Sequence, residues 1–148
     1  MASKAARRLN VDLKKIQVKE AIEGVTVETA ENDVFNWNVK IQGPSGTPYE
    51  GRILTVKMVF SDEYPHKEPS LAFNPPIYHP NVDPKTGVPC LSILQKWAPT
   101  LTITAVIKDL IEVITNPDPG HAVDADIGQE YANNRDEFNR KARSFNNS

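Results

Sequence analysis

The sequence predicts an α+β fold. Three observations carry that prediction: an amphipathic helical pattern opens the chain, runs of alternating apolar and polar residues follow it, and further helical patterns close it.

Residues 3–17 read as the first helix. Ala6, Leu9, Leu13 and Ile16 recur at spacings that stack them on one face. Gly24 ends a polar linker, and Val25 and Val27 mark a short strand. Phe35, Trp37, Val39 and Ile41 alternate with Asn36, Asn38, Lys40 and Gln42, as a half-buried strand requires. The turn residues of the segment 43–51 (Gly-Pro-Ser-Gly-Thr-Pro-Tyr-Glu-Gly) read as a hairpin connection. Leu54, Val56, Met58 and Phe60 form the next strand, and Leu71 and Phe73 a short last one. Short connections make these strands an antiparallel meander.

All 12 prolines lie between residues 44 and 119. Proline removes an amide donor and fixes φ, so residues 61–101 cannot be mostly regular structure. Leu71, Phe73, Ile77, Leu91, Ile93, Leu94 and Trp97 make this stretch too apolar for a solvated linker. It reads as a stiff, ordered, non-repetitive segment, the kind of loop on which chemistry is usually placed. Thr104 is the predicted cap of a helix over 105–115, in which Val106, Ile107, Leu110, Ile111 and Ile114 repeat at helical spacing. The run from Asn116 to Gly120, with two prolines, stops it. Asp124 or a neighbour starts a helix near 125–133, and residues 135–145 form the last, with Phe138, Ala142 and Phe145 inward.

A length of 148 residues, 39% apolar and 24% charged, suits one compact domain over residues 1–148. No apolar run is long enough to span a bilayer, and no apolar signal core follows the N-terminus, so the expected location is cytoplasmic or nuclear, away from membranes. A single cysteine excludes an internal disulfide, in keeping with a reducing compartment. Net charge is −2 but uneven. Lys4, Arg7, Arg8, Lys14, Lys15 and Lys19 make a basic head, which fits an acidic protein surface. No aromatics are interleaved for base stacking, so nucleic acid is not an expected partner. One thiol and three scattered histidines give no metal site.

The chemistry-bearing pair is Asn81 and Cys90. Asn81 is a side-chain amide in a proline-rigidified turn, and Cys90 is a thiol at the start of a short apolar run. An acyl-transferring thiol needs a thiolate to carry the acyl group and a fixed donor for the oxyanion that forms on transfer. The competing reading of Cys90 is a small buried hydrophobe. A cysteine hydrolase with His79 as base is a further alternative, against which the ring could equally brace the turn by bonding backbone.

These residues carry a resemblance to the ubiquitin-conjugating (E2) enzymes over residues 5 to 145. It rests on Arg8-Leu9 in the basic helix, Pro48-Tyr-Glu-Gly51, Phe60-Ser-Asp-Glu-Tyr-Pro65, Pro75-Pro-Ile-Tyr-His-Pro-Asn81, Cys90-Leu-Ser-Ile-Leu94, Trp97-Ala-Pro99 and Asn116-Pro117. The resemblance implies an N-terminal helix, a four-stranded antiparallel meander and three helices after it. It implies that Cys90 accepts ubiquitin or a ubiquitin-like protein from an activating enzyme (E1). Cys90 would then pass the acyl group to a substrate lysine or to a ligase (E3) cysteine. No cofactor is implied, because ATP is consumed upstream by the activating enzyme. Asn81 would be the oxyanion donor and Tyr78 would help desolvate an incoming lysine. Arg7 and Arg8 would dock the activating enzyme, and His66, Ala98, Pro99 and Thr100 the ligase. The Tyr64–Pro65 peptide would be cis, and the chain a monomer.

The chain also departs from the family pattern. Ser92 stands where lysine-directed members often carry Asp. The loop ending in His121 resembles a branch that hands its cargo mainly to ligase cysteines, whereas His66 stands where such pairings favour Phe. Asp118 and Asp124 remain alternatives for the gate residue near the cysteine. One extra residue separates Asn81 from Cys90, and Pro89 precedes the thiol. Several segments, Cys90-Leu-Ser-Ile-Leu94 among them, resemble the SUMO-conjugating branch, but its acidic insertion before the tryptophan is missing, since only Gln95-Lys96 intervene. Ubiquitin is therefore the expected cargo and SUMO the alternative. A catalytically inactive variant acting as a binding module is the alternative of another class.

Overall fold

The computed structural model describes residues 3–147. Helix α1 (Lys4–Gln17) opens the fold. The Ser3 hydroxyl caps it by accepting from the Ala6 amide, and Ala5, Leu9 and Ile16 are buried on its inner face. The strands follow as β1 (Val25–Ala30), β2 (Asp33–Gln42), β3 (Ile53–Val59) and β4 (Ser70–Phe73), an antiparallel sheet in the order β1-β2-β3-β4. Each neighbour in sequence is the neighbour in space, so the predicted meander and α+β class are what the chain forms.

Alternation decides which side chains enter the core. Trp37, Val39 and Ile41 on β2 pair with Met58, Val56 and Leu54 on β3, and all six are buried. Leu9 and Ile16 from α1 and Val106, Ile107, Leu110 and Ile114 from a later helix join the same core. Tyr64 also turns inward and donates its hydroxyl to Asp12 on α1 at 2.6 Å. The Tyr64–Pro65 peptide is cis, as the resemblance implies, and so is Asn74–Pro75.

The proline-rich stretch has little regular structure. It holds β4 and a single helical turn, α2 (Ser92–Gln95), which the sequence does not announce because one turn is too short to show a period. Helix α3 (Ile103–Thr115) begins two residues earlier than predicted. Its cap is Thr102, whose hydroxyl accepts from the Ala105 amide, and Thr104 lies inside the helix. A 3₁₀ turn, Pro119–His121, follows. Helix α4 (Ala125–Asn133) is capped by Asp124 as predicted. In α5 (Arg135–Ser144), Phe138 and Ala142 are buried. Phe145 lies just past the helix end, half-buried against the Tyr78 ring. Arg52, at the entry to β3, bonds the carbonyls of Ala142 and Phe145 at 2.9 and 3.2 Å, which fastens the end of α5 to the sheet.

The loop that delivers Cys90 is framed by backbone. Val82 and Pro89 form a bridge, and the Asp83 amide bonds Val88 O. The Asp83 carboxylate accepts from the amides of Lys85 and Thr86, and those bonds hold its pKa below the usual carboxylate value. Gly87 ties this loop to β4, because its carbonyl accepts from the Phe73 amide at 2.7 Å. Its φ is +79°, and a Cβ there would meet Phe73 O at 2.0 Å. Gly87→Ala is therefore expected to destabilise the fold. The left-handed conformation alone costs about 1–2 kcal/mol, and the overlap adds to it. Urea unfolding should show a lowered midpoint, while Gly46→Ala, where φ is also positive but the space is open, should lose less.

Candidate active site

The turn His79-Pro80-Asn81 is held from four directions. The His79 ring is fully buried; Nε2 lies 2.9 Å from Val113 O on α3, and Nδ1 accepts from the Asn81 amide at 3.0 Å. That pattern fixes the neutral tautomer with its proton on Nε2. Burial pushes the imidazole pKa from 6.5 down to about 4, against a smaller opposing pull from the Val113 and Ile114 backbone. The Pro80 carbonyl accepts from the Val123 amide at 2.8 Å. The Asn81 carboxamide makes three bonds to the loop before α4. Nδ2 donates to Asp118 O at 2.9 Å and to His121 O at 3.2 Å, and Oδ1 accepts from the Asp118 amide at 2.9 Å. Finally, Asn81 O accepts from the Cys90 amide at 2.9 Å, which sets the thiol beside the turn.

Cys90 itself is half-exposed. The residues on either side of it, Pro89 and Leu91, are buried and anchor the backbone, while the sulfur stands on the wall of an open groove of about 500 Å³ with Pro69, Leu71, Val88 and Leu94. The buried-hydrophobe reading of the thiol is not what the fold builds. The hydrolase reading also lacks its base, since both nitrogens of His79 are committed and its ring has no exposed surface.

Other site residues fall into three places. Ser92 is exposed at the first position of α2, two residues past the sulfur. His121 is exposed, and its Nδ1 lies 2.7 Å from the Asp118 carboxylate, which also caps the 3₁₀ turn. Tyr78 is half-buried. Its ring packs on Phe138 and Phe145, and its hydroxyl donates to Glu130 on α4 at 2.7 Å. Burial and the Glu130 carboxylate both push its pKa up. Lys141 completes this corner by pairing with Glu130 at 2.7 Å.

Arg7 and Arg8 lie on α1. Arg7 is exposed, whereas Arg8 is half-buried with its Nε 3.1 Å from Asp12. Asp12 thus joins Arg8 to Tyr64, next to Pro65. His66 and the segment Ala98–Thr100 belong to different loops that one bond unites, for Trp97 Nε1 donates to Pro65 O at 2.8 Å.

Comparison with known proteins gives this geometry a family. The family described as ubiquitin-conjugating enzyme matches residues 8–146. The chain belongs to the ubiquitin-conjugating enzymes. It is 35% identical over 144 residues to ubiquitin-conjugating enzyme E2 2 of Neurospora crassa, covering 97% of this chain and 94% of that one. It is 34% identical over 149 residues to ubiquitin-conjugating enzyme E2 1 of Schizosaccharomyces pombe, covering 100% of this chain and 68% of that one. The solved E2 domain of a Toxoplasma gondii ubiquitin conjugating enzyme superposes with a TM-score of 0.84 at 33% identity, covering 94% of each chain. The four-stranded meander between an N-terminal helix and later helices is thus the fold of this enzyme family, as the sequence resemblance implies.

One residue beside Cys90 is not singled out by the sequence. Gln95 Nε2 stands 3.4 Å from Cys90 Sγ. A neutral polar residue at the end of an apolar run carries no motif. Its only sequence signal is its place five residues after the thiol.

Proposed function

We propose that Cys90 carries ubiquitin as a thioester and transfers it to a substrate lysine or a ligase cysteine. The observation that carries this reading is the placement of the sulfur. It stands half-exposed on a groove wall, at the end of a backbone-locked loop, with its amide bonded to the turn that holds Asn81. In charging, the Cys90 thiolate attacks the acyl carbon held on the activating enzyme, a new S–C bond forms, and the old thiol leaves with its electron pair. In discharge, an amine or a ligase thiolate attacks the same carbon and the pair returns to Cys90 Sγ. No cofactor takes part at this site, since ATP acts earlier.

The remaining residues divide the work. Asn81 receives the developing oxyanion. Tyr78, through its ring, forms part of the surface that strips water from an incoming lysine, favouring its neutral, nucleophilic form. Ser92 takes the place of the carboxylate that lysine-directed relatives often carry after the thiol, and the Asp118–His121 pair is the gate. The basic face of α1 around Arg7 docks the activating enzyme, with Arg8 shaping that face through its Asp12 pair. His66, Ala98, Pro99 and Thr100 form the ligase-docking surface, a reading supported by the bond from Trp97 to Pro65 O that joins their two loops. The enzyme acts as a single folded unit, a monomer in a reducing cytoplasmic or nuclear compartment. Ubiquitin is favoured as cargo because ubiquitin is what the relatives' names give, and SUMO is the reading to test beside it.

The test is a charging assay with activating enzyme, ATP and ubiquitin, run in parallel with SUMO and its own activating enzyme. A band shift that disappears with reductant and is absent from Cys90→Ala is expected with ubiquitin. Cys90→Ser should give a shift that resists reductant, because an alkoxide is a poorer leaving group than a thiolate. A shift that survives Cys90→Ala would move the acceptor elsewhere. No thiol-sensitive shift with either cargo would leave the binding-module reading standing instead.

A further inference from the structure

The resting thiol has a donor, and that donor is not the asparagine. Both hydrogens of Asn81 Nδ2 are committed to the carbonyls of Asp118 and His121. Gln95 instead brings its Nε2 to 3.4 Å from Cys90 Sγ, within hydrogen-bond reach of sulfur, and this is the one hydrogen bond its carboxamide makes among the described residues. The approach is built into the local backbone. Leu91 is buried and fixes the start of the turn, the amides of Leu94 and Gln95 return to Leu91 O at 3.2 and 3.4 Å, and half-buried Leu94 holds the far end. Gln95 and Cys90 therefore face each other on the wall of the same groove.

We infer that Gln95 is a further catalytic residue, whose carboxamide N–H holds negative charge on the Cys90 sulfur. The contact serves the sulfur whenever it is anionic. That is so in the free thiolate before charging, and again when the acyl carbon–sulfur bond breaks and the electron pair returns to Sγ while the acceptor amine gives up its proton to water. A donor aimed at an anion makes a stronger hydrogen bond than one aimed at a neutral thiol, so the contact favours the charged form in both steps. A carboxamide does not titrate, so its help is the same across the working pH range. The role in discharge rests on Cys90 being the thioester site; the role at the free thiolate does not.

The chain has one cysteine, so alkylation by iodoacetamide, followed by mass, reports this sulfur alone and needs neither cargo nor activating enzyme. Gln95→Ala and the near-isosteric Gln95→Met are expected to slow alkylation at neutral pH by about three- to tenfold, the range a single charge-assisted bond on an exposed group supplies. Gln95→Glu should slow alkylation further, because a carboxylate repels the thiolate. Gln95 is exposed, so melting temperatures should stay level across the set. Single-turnover discharge of the purified thioester to lysine should slow by a similar factor in Gln95→Ala. Alkylation rates of Gln95→Ala and Gln95→Met equal to the parent's would overturn the inference. Slowed alkylation of the variants, with a parent chain that accepts no cargo, would uphold the Gln95–sulfur contact while defeating the carrier role of Cys90.

Discussion

Asn81→Ala is expected to slow transfer of the acyl group from Cys90 to an amine by about 10²–10³, the usual cost of removing one oxyanion donor. The resting structure shows what must happen first. Nδ2 is shared between Asp118 O at 2.9 Å and His121 O at 3.2 Å. The longer bond goes to an exposed three-residue 3₁₀ turn, so a small rotation can trade it for the oxyanion while the Asp118 bonds hold the amide in place. The Cys90 amide is bonded to Asn81 O, so the backbone that carries Sγ is tied directly to the residue that carries the amide. Alanine would also remove all three loop bonds, at about 0.5–1.5 kcal/mol each, so part of the loss is structural. Two measurements separate the roles. Single-turnover discharge of the charged protein reads the oxyanion, and thermal unfolding reads the brace. Asn81→Asp keeps an acceptor for the Asp118 amide but lacks the donors and adds negative charge, so it should transfer at least as slowly as alanine. A lower melting temperature with an unchanged discharge rate would reduce Asn81 to a loop brace.

Much of the fold was legible because it is built on alternation. Trp37, Val39, Ile41, Leu54, Val56 and Met58 occupy the positions a period of two demands, and all are buried. Helix starts were less legible. Thr102 and Thr104 are both capping residues, and Ile103 lies between them; only tertiary burial of Ile103 shows that the helix begins there. The short turns at 92–95 and 119–121 carry no period at all. Within the site, the nearness of Asn81 and Cys90 could be read from a proline-stiffened spacing. The direction of the Asn81 amide could not, because it depends on carbonyls 37 and 40 residues further along the chain. Arg8 shows the same limit. Its place on a basic helix suggests a docking residue, but its partner Asp12 and the Tyr64 hydroxyl reveal a structural tie as well.

Lowering the pH from about 6.5 to about 4 should cost the fold roughly 3 kcal/mol through His79 alone. The folded pKa of about 4 lies below the ordinary 6.5, so between those values the unfolded chain binds a proton that the folded chain refuses. Stability from this group is therefore full above pH 6.5 and falls as the pH drops toward 4, below which both states are charged and no more is lost. The cause is local. A proton on Nδ1 would face the Asn81 amide, donor against donor, inside a fully buried site, while Nε2 stays bound to Val113 O. The carboxyls of Asp83 and Glu137, whose pKa values are also held low, lose their contribution at still lower pH. Chemical denaturation at half-unit steps from pH 7.5 to 4 should show the decline setting in near 6.5. His79→Phe should start from a lower stability, because the bonds to Val113 and Asn81 are gone, but its profile should be flatter over this window. Equal slopes for the parent and His79→Phe would place the acid sensitivity elsewhere. The same proton would loosen the turn that carries Asn81, so transfer from a charged Cys90 should fall with acid ahead of global unfolding.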